Sequence, residues 1–518
     1  MAQETLISPG VLTRENDLTQ VTQLPVTIGL ALVGPTVKGK PYVPTVVTSY
    51  SDYINRFGGA FTLSGSRYEY CTSIAAYNYF RQGGESILVT RVTSGSYTPS
   101  TASIYISGSA SDISFELETL NVGLMTSNIS SVLSNGGLAS GSRENVRWEI
   151  RNVNSGSGTF SLLVRRGDDN NNSTVILESF SNVSLDPNQP NYIEAVVGNQ
   201  VQEYKFDNST GAYYVQTSGD YPNNSRYIRV RSVKQKTPNY INNAGGVAIN
   251  LVDGDPLYGA SYSASLPFAG SGSDGGGFAG GTGDDIPYIG DTLFISMSAS
   301  PLISQGVPVA NYATASNILA NKDEYDYELL VTPGLLKNQH SSYVNNFINN
   351  AESRGDHFYI VDLVPYGATF LTPITTAAQM DTNYAGAYWP WVQVVSQETG
   401  KLVWVPASTI MAGVYAFNDN VSAEWFTPAG LNRGGLGGVI QAERKLSPTN
   451  RDDLYSGKVN PIATFPNIGV TAFGQKTLQQ KASALDRINV RRLLIALKCY
   501  IGNVAKTLVF EQNTTVTR

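Results

Sequence analysis

Residues Tyr325 to Val364 read YDYELLVTPGLLKNQHSSYVNNFINNAESRGDHFYIVDLV. The apolar run from Tyr325 to Val331 ends at Pro333-Gly334 and reads as a strand. Val344, Phe347, Ile348 and Ala351 then recur at the steps that place side chains on one face of a helix, and Gly355 closes it. His357 to Val364 is a second apolar run. Strand, helix, strand at these lengths is a βαβ unit, and strands that are apolar throughout belong to a sheet covered on both faces. The same order occurs near the N-terminus. Val26 to Val33 (VTIGLALV) reads as a buried strand and Tyr50 to Phe57 as a short helix stopped by Gly58-Gly59. Tyr68 to Phe80 reads as a helix with Cys71, Ile74, Ala75 and Tyr79 inward, and Ile87 to Val92 as the next strand. Beyond Val364, Trp389 to Val392 and Leu402 to Val405 suggest further strands. Ser408 to Phe417 reads as a buried helix in which Gly413 permits close approach of another element, and Gly430 to Gly438 as a glycine-rich loop.

Between the two units, from about Ser94 to Asn321, Ser, Asn and Gly dominate, and short apolar runs such as VRWEI, FSLLVRR and YIRVR alternate with turn residues. That is the pattern of small antiparallel β domains. FSLLVRRGDDNNNSTVILESFSNVSL reads as a hairpin with a polar tip at Gly167 to Asn172. Gly270 to Asp285 (GSGSDGGGFAGGTGDD) lacks the Lys and helix start of a phosphate cradle and reads as a flexible loop. The expected fold class is α/β plus β, a discontinuous α/β core domain with inserted β-rich domains. Residues 1–23 form an extended N-terminal arm, and 24–93 with 322–518 form the core. An outer inserted domain spans 94–155, with a break near Ser155-Gly158, and a second spans 156–321. The arm has too little apolar content to pack a core of its own.

At 518 residues the chain is too long for one typical core. A net charge of -6 argues against nucleic-acid binding, and the sequence holds no apolar run long enough to span a membrane. Cys71 and Cys499 cannot make a disulfide framework; both sit in apolar helical patterns and are expected to be reduced, buried thiols. His340, at an expected exposed helix start, and His357, at a strand edge, are too few for a histidine-based triad or metal site. Asp362, inside an apolar strand, is the one buried acid to watch, and a basic partner is its commoner lot. The residues support no catalytic, cofactor-binding or metal site, so the chain is not expected to be an enzyme.

The C-terminal stretch from Leu485 reads LDRINVRRLLIALKCYIGNVAKTLVFEQNTTVTR. Val490, Leu493, Leu494, Leu497, Ile501, Val504 and Leu508 form an apolar stripe, and Arg491, Arg492, Lys498 and Lys506 fall away from it. Periodicity alone favours an ordinary core helix with a solvated basic face. The run DRINVRRLLIALKCYI followed by VFEQN resembles the C-terminal signature of bacteriophage contractile tail sheath proteins. So do YSGKVNPIATFPNIGVTAFGQKTL, DTNYAGAYWPWVQV, VPASTIMAGVYAFND and FTPAGLNRG, in the family's order; SPGVLTREND and Ser49 to Val92 resemble its N-terminal segment more weakly.

The resemblance implies a structural subunit that polymerises with itself as stacked hexameric rings around a tail tube protein, meets baseplate and neck or terminator proteins, and contracts to drive the tube through a host envelope. It implies a virion protein assembled in the host cytoplasm, with no cofactor, no nucleic acid and no membrane insertion. Related sheaths of bacteriocins or secretion devices are the near alternative; a glycan-binding or glycan-processing β-rich protein is the distant one. On this resemblance Gln479 to Asn503 faces the tube, and Arg487, Arg491, Arg492 and Lys498 are candidate contacts to the tube or to neighbouring subunits. The family continues past the F-E-x-N element into a strand that pairs with adjacent subunits, so a form ending at Arg518 is expected to be defective in making a contractile tube.

Overall fold

The computed structural model describes residues 28–510 apart from 64–65, 94, 107–110, 129–130, 243, 250, 253–254, 257–260, 269–274, 284–301 and 507–508. The expected arm and the polar tail after Phe510 lie outside the described residues. The helices are α1 Tyr50–Phe57, α2 Cys71–Arg81, α3 Ile193–Val197, α4 Tyr312–Leu319, α5 Ser341–Arg354, α6 Leu371–Ala377, α7 Ser408–Val421, α8 Pro448–Ser456 and α9 Ile488–Lys506.

Among the described residues the largest sheet has eight strands. Their order is Thr45–Val47, Ile87–Arg91, Ile28–Gly34, Tyr327–Leu336, Phe358–Asp362, Ala385–Trp389, Asn460–Phe465 and Gly469–Ala472. Leu30 pairs in parallel with Ile87 on one side and Leu329 on the other, and Leu329 with Phe358. Both βαβ units thus share one sheet although the insertion separates them in sequence. Alternate residues serve opposite faces. Leu30, Leu32, Leu329 and Ile360 pack with α2 and α7, whereas Ala31, Val33, Leu330 and Val361 pack with α4 and α5. The unbroken apolar strands follow from this three-layer burial.

The expected boundary at 155/156 falls inside a hairpin, so strands on its two sides share one core. Residues Ser155–Gly158 are the turn joining antiparallel strands Val146–Asn154 and Thr159–Arg166. That sheet faces the Ile113–Val122 sheet across one core, where Phe115 stacks on Phe160 at 5.7 Å between ring centroids. The hairpin from Thr159 to Ser184 forms as its pattern predicts. Its tip is not all solvated, because Asp169 is buried against Arg165 (2.7 Å) and Arg147 (3.3 Å). Part of the expected flexible loop is built into the fold: Gly276–Gly277 pairs with Trp148 and Arg147, and Phe278 is fully buried. Glycine is needed at position 277 because a Cβ there would fall 1.6 Å from Asn128 Oδ1.

Other expectations shift locally. The core resumes before residue 322, since Val307, Val309 and α4 pack into its sheet. Tyr68 and Glu69 pair as strand with Phe61 and Ala60, so the helix begins at Cys71. The strand expected to stop at Pro333-Gly334 runs on to Leu336 through a register shift. Gly413 does seat α7 on α2, as a Cβ there would lie 2.8 Å from the Asn78 carbonyl oxygen. Cys71 is buried, but Cys499 only partly so.

Candidate functional site

The histidines and Asp362 serve the fold. His340 is buried at the start of α5, where its Nδ1 accepts a hydrogen bond from the Leu336 N–H at 3.0 Å; the expected exposure is wrong because α5 packs flat on the sheet. His357 is buried against Asp356 at 2.9 Å, and burial holds its pKa below the ordinary value. Asp362 lacks the basic partner expected for it. Its carboxyl accepts from the Ser408 N–H at 3.0 Å and the Ser408 hydroxyl at 2.6 Å, capping the first turn of α7. Helix N-termini leave N–H groups without intrahelical partners, and a carboxylate meets that need. Burial pushes Asp362 up to about 7. Among the described residues no cluster of His, Cys, Asp or Glu is arranged to hold a metal ion.

The unusual geometry lies in α9. Its residues Ile488, Arg491, Arg492 and Ile495 face the core and are buried. Much of the apolar stripe faces away: Leu494 is 40% exposed, Leu497 44% and Ile501 61%, flanked by Tyr500 at 71%. The helix is therefore turned opposite to its simplest amphipathic reading, and the cause is electrostatic. Arg492 donates to both carboxylate oxygens of Asp419, at 2.7 and 2.6 Å, and its guanidinium lies over the Tyr415 ring, 5.1 Å from the centroid. Glu328 stands 4.0 Å away. Burial acts to lower the Arg492 pKa, but the hydrogen bonds and charge of Asp419 outweigh it and hold the guanidinium well above its usual value. Arg491 lies over Tyr384 at 4.1 Å and donates to Asn383 Oδ1 at 2.9 Å.

A cavity of about 130 Å³ opens beside Arg492, lined by Asp326, Glu328, Asp356, Glu424 and Cys499. Burial pushes Glu328 up to about 7, with Glu424 adding to the shift and Arg492 opposing it. Burial also raises Asp326 and Glu424, and pushes the Cys499 thiol up to about 11.

The four candidate contact residues thus separate. Arg491 and Arg492 are buried within the chain, so they position α9 and offer no solvated basic face. Arg487 remains partly exposed, donating to the Tyr455 hydroxyl and pairing with Asp486 at 3.3 Å. Lys498 is exposed, with its Nζ beside Gly355. Sequence reasoning missed Asp419, Glu328 and Glu424 as the floor beneath the helix. A weak signal existed, since two adjacent arginines in an apolar helix call for buried acids elsewhere.

The outer face of α9 presents exposed apolar side chains. Fully burying a Leu- or Ile-sized side chain stabilises by about 1.5–3 kcal/mol, so covering these half-exposed residues would contribute roughly 3–5 kcal/mol. That corresponds to an association constant gain of about 10²–10⁴.

No family model matches the chain. Over 144 residues, 28% of this chain, it is 41% identical to the tail sheath protein of Vibrio phage KVP40. Over 115 residues it is 42% identical to the tail sheath protein of Enterobacteria phage T4. These stretches are similar to phage tail sheath proteins, and they span about a fifth of those relatives, 20% and 18% of their lengths. Among solved structures, the sheath tail protein of Listeria innocua aligns over 92% of this chain and 75% of its own, at 10% identity and a TM-score of 0.46. The contracted PVC sheath complex of an extracellular contractile injection system aligns over 41% and 55%, at 24% identity and a TM-score of 0.33.

Proposed function

We propose that this chain is the repeating subunit of a phage contractile tail sheath, kin to the tail sheath proteins it matches. Its work is mechanical: copies pack in stacked hexameric rings around a tail tube, between baseplate and neck, and the array shortens by re-registering rigid subunits. The observation that carries this reading is the outward apolar face of α9. A monomer that stays alone gains nothing from exposing Leu494, Leu497, Tyr500 and Ile501 in one stripe, whereas a subunit whose neighbours cover that stripe gains the burial worked out above. The α/β core supplies a stiff base and Arg492 pins the helix to it, so the stripe is presented in a fixed orientation. Arg487, just before α9, and Lys498, within it, are the two candidates that keep surface exposure and are proposed to meet neighbouring subunits or the tube. The subunit acts in the virion after assembly in the host cytoplasm, and the reading requires no cofactor.

Sedimentation velocity across a concentration series tests this. The wild-type chain is expected to associate with itself. Leu497→Asp and Ile501→Asp are expected to lower that association by at least about tenfold each while leaving the circular dichroism spectrum unchanged. A wild-type chain that stays monomeric at all concentrations, or Asp variants that associate as well as wild type, would overturn the reading.

A further inference from the structure

The floor beneath α9 carries more negative charge than its arginines offset. Asp326 immediately precedes the Tyr327–Leu336 strand and Glu328 is its second residue, and Asp419 comes from the last turn of α7. Glu424 lies in the loop after α7, and Asp356 in the turn after α5. Two arginines answer these five carboxylates. Arg354, at the end of α5, is held by Asp356 at 2.8 Å, and Arg492 by Asp419 at 2.6 Å. Among the described residues Asp326 and Glu424 have no ion-pair partner, and Glu328 has only its 4.0 Å contact with Arg492. The other groups that face the cluster are Tyr79 of α2, Tyr415 of α7, Tyr327, the buried His357, and Cys499, Lys498 and Lys506 of α9. Both lysines are exposed, so neither ammonium fills the deficit from within.

We propose that this carboxylate surplus makes the hold of α9 on the core proton-dependent: firm when Asp326, Glu328 and Glu424 are protonated, loosened as they ionise. The geometry sets the direction, because an unpaired carboxylate facing a small cavity is penalised when charged and relieved when the helix lifts and water enters. The raised values of these acids have the same sign. An acid raised in the closed form stabilises that form below its ordinary pKa, and the contribution is lost as pH climbs through the raised value. For Glu328 the window runs from its ordinary 4.5 to about 7. The full separation would change the lifting equilibrium by ~300-fold. The Glu328 side chain is 32% exposed, so we expect a change of ~10-fold.

Cys499 gives a direct reading. It lies on the inner side of α9, and the second cysteine, Cys71, is fully buried at the start of α2. The rate at which dithiodipyridine labels each thiol of the dilute chain is measured from pH 4 to 8, across the whole Glu328 window, and divided by the rate in the denatured chain at the same pH. The normalised Cys499 rate is expected to rise ~10-fold while that of Cys71 stays near zero, and Glu328→Gln to flatten the rise to ~3-fold or less. Glu424→Gln replaces it should Glu328→Gln fail to fold. A normalised Cys499 rate that ignores pH, a Gln variant with the full response, or Cys71 labelling in step with Cys499 would each overturn the proposal. The device bears on the assembly face proposed above, but it is read on unassembled chain. A flat labelling profile leaves self-association standing, and a monomeric chain leaves the labelling result standing.

Discussion

Separating Arg492 from Asp419 should cost differently depending on which partner is removed. The Arg492 side chain is 4% exposed and that of Asp419 is 19% exposed. Asp419→Asn strands a guanidinium that has only Glu328 at 4.0 Å as a remaining anion. Removing one member of a buried pair costs about 3–5 kcal/mol, and we place this variant near ~4 kcal/mol. Arg492→Met leaves Asp419 behind, but that carboxylate still accepts from Asn418 Nδ2 at 3.1 Å and meets water, so ~2 kcal/mol is expected. The double variant Arg492→Met with Asp419→Leu removes both charges and should cost less than the sum of the single changes by at least ~2 kcal/mol. Urea unfolding followed by tryptophan fluorescence reads the core, because Trp389, Trp391 and Trp404 all sit in it. Costs that simply add, or an Arg492→Met penalty exceeding that of Asp419→Asn, would refute the account of why α9 is turned as it is.

Two further outcomes are expected. Gly413→Ala places a methyl group 2.8 Å from the Asn78 carbonyl oxygen and should destabilise the core by about 1–3 kcal/mol, whereas Gly502→Ala, on the exposed side of α9 with nothing within 4 Å, should be neutral or stabilise by up to ~1 kcal/mol; thermal melts of the two variants compare them directly. Asp362 is raised from 3.8 to about 7, so it favours the fold below pH 4 and that contribution fades as pH rises through 7. Asp362→Asn, which keeps an acceptor for the Ser408 N–H, should remove this slope and be the more stable protein at pH 8, by as much as ~4 kcal/mol; a variant whose melting temperature tracks that of wild type from pH 5 to 8 would contradict it.

What the sequence determined by itself is the set of elements whose local signals agree with their burial. The Ile28–Gly34, Tyr327–Leu336 and Phe358–Asp362 strands are apolar throughout because both faces of their sheet are covered, and that is visible in one dimension. α1 spans the expected Tyr50–Phe57, with Ser49 accepting from the Asp52 N–H, and α5 ends at the expected Gly355, which takes the left-handed conformation with φ 68°. The run of signature segments toward the C-terminus likewise pointed to the sheath proteins before any fold was known.

Only the tertiary structure decided which side of α9 faces inward. Periodicity reports that apolar residues share a face, but not what that face meets. Asp419 and Glu328 are brought under the helix from elements 73 and 164 residues away, and they demand a cation where a lone amphipathic helix would place leucine. The same holds for the insertion. A polar turn at Ser155–Gly158 looks alike at a domain boundary and at a hairpin, and pairing across it is a long-range fact. Local sequence encodes local preference, whereas the orientation of an element depends on charges and surfaces supplied by distant segments, and α9 turned its arginines to the core because buried acids were already there.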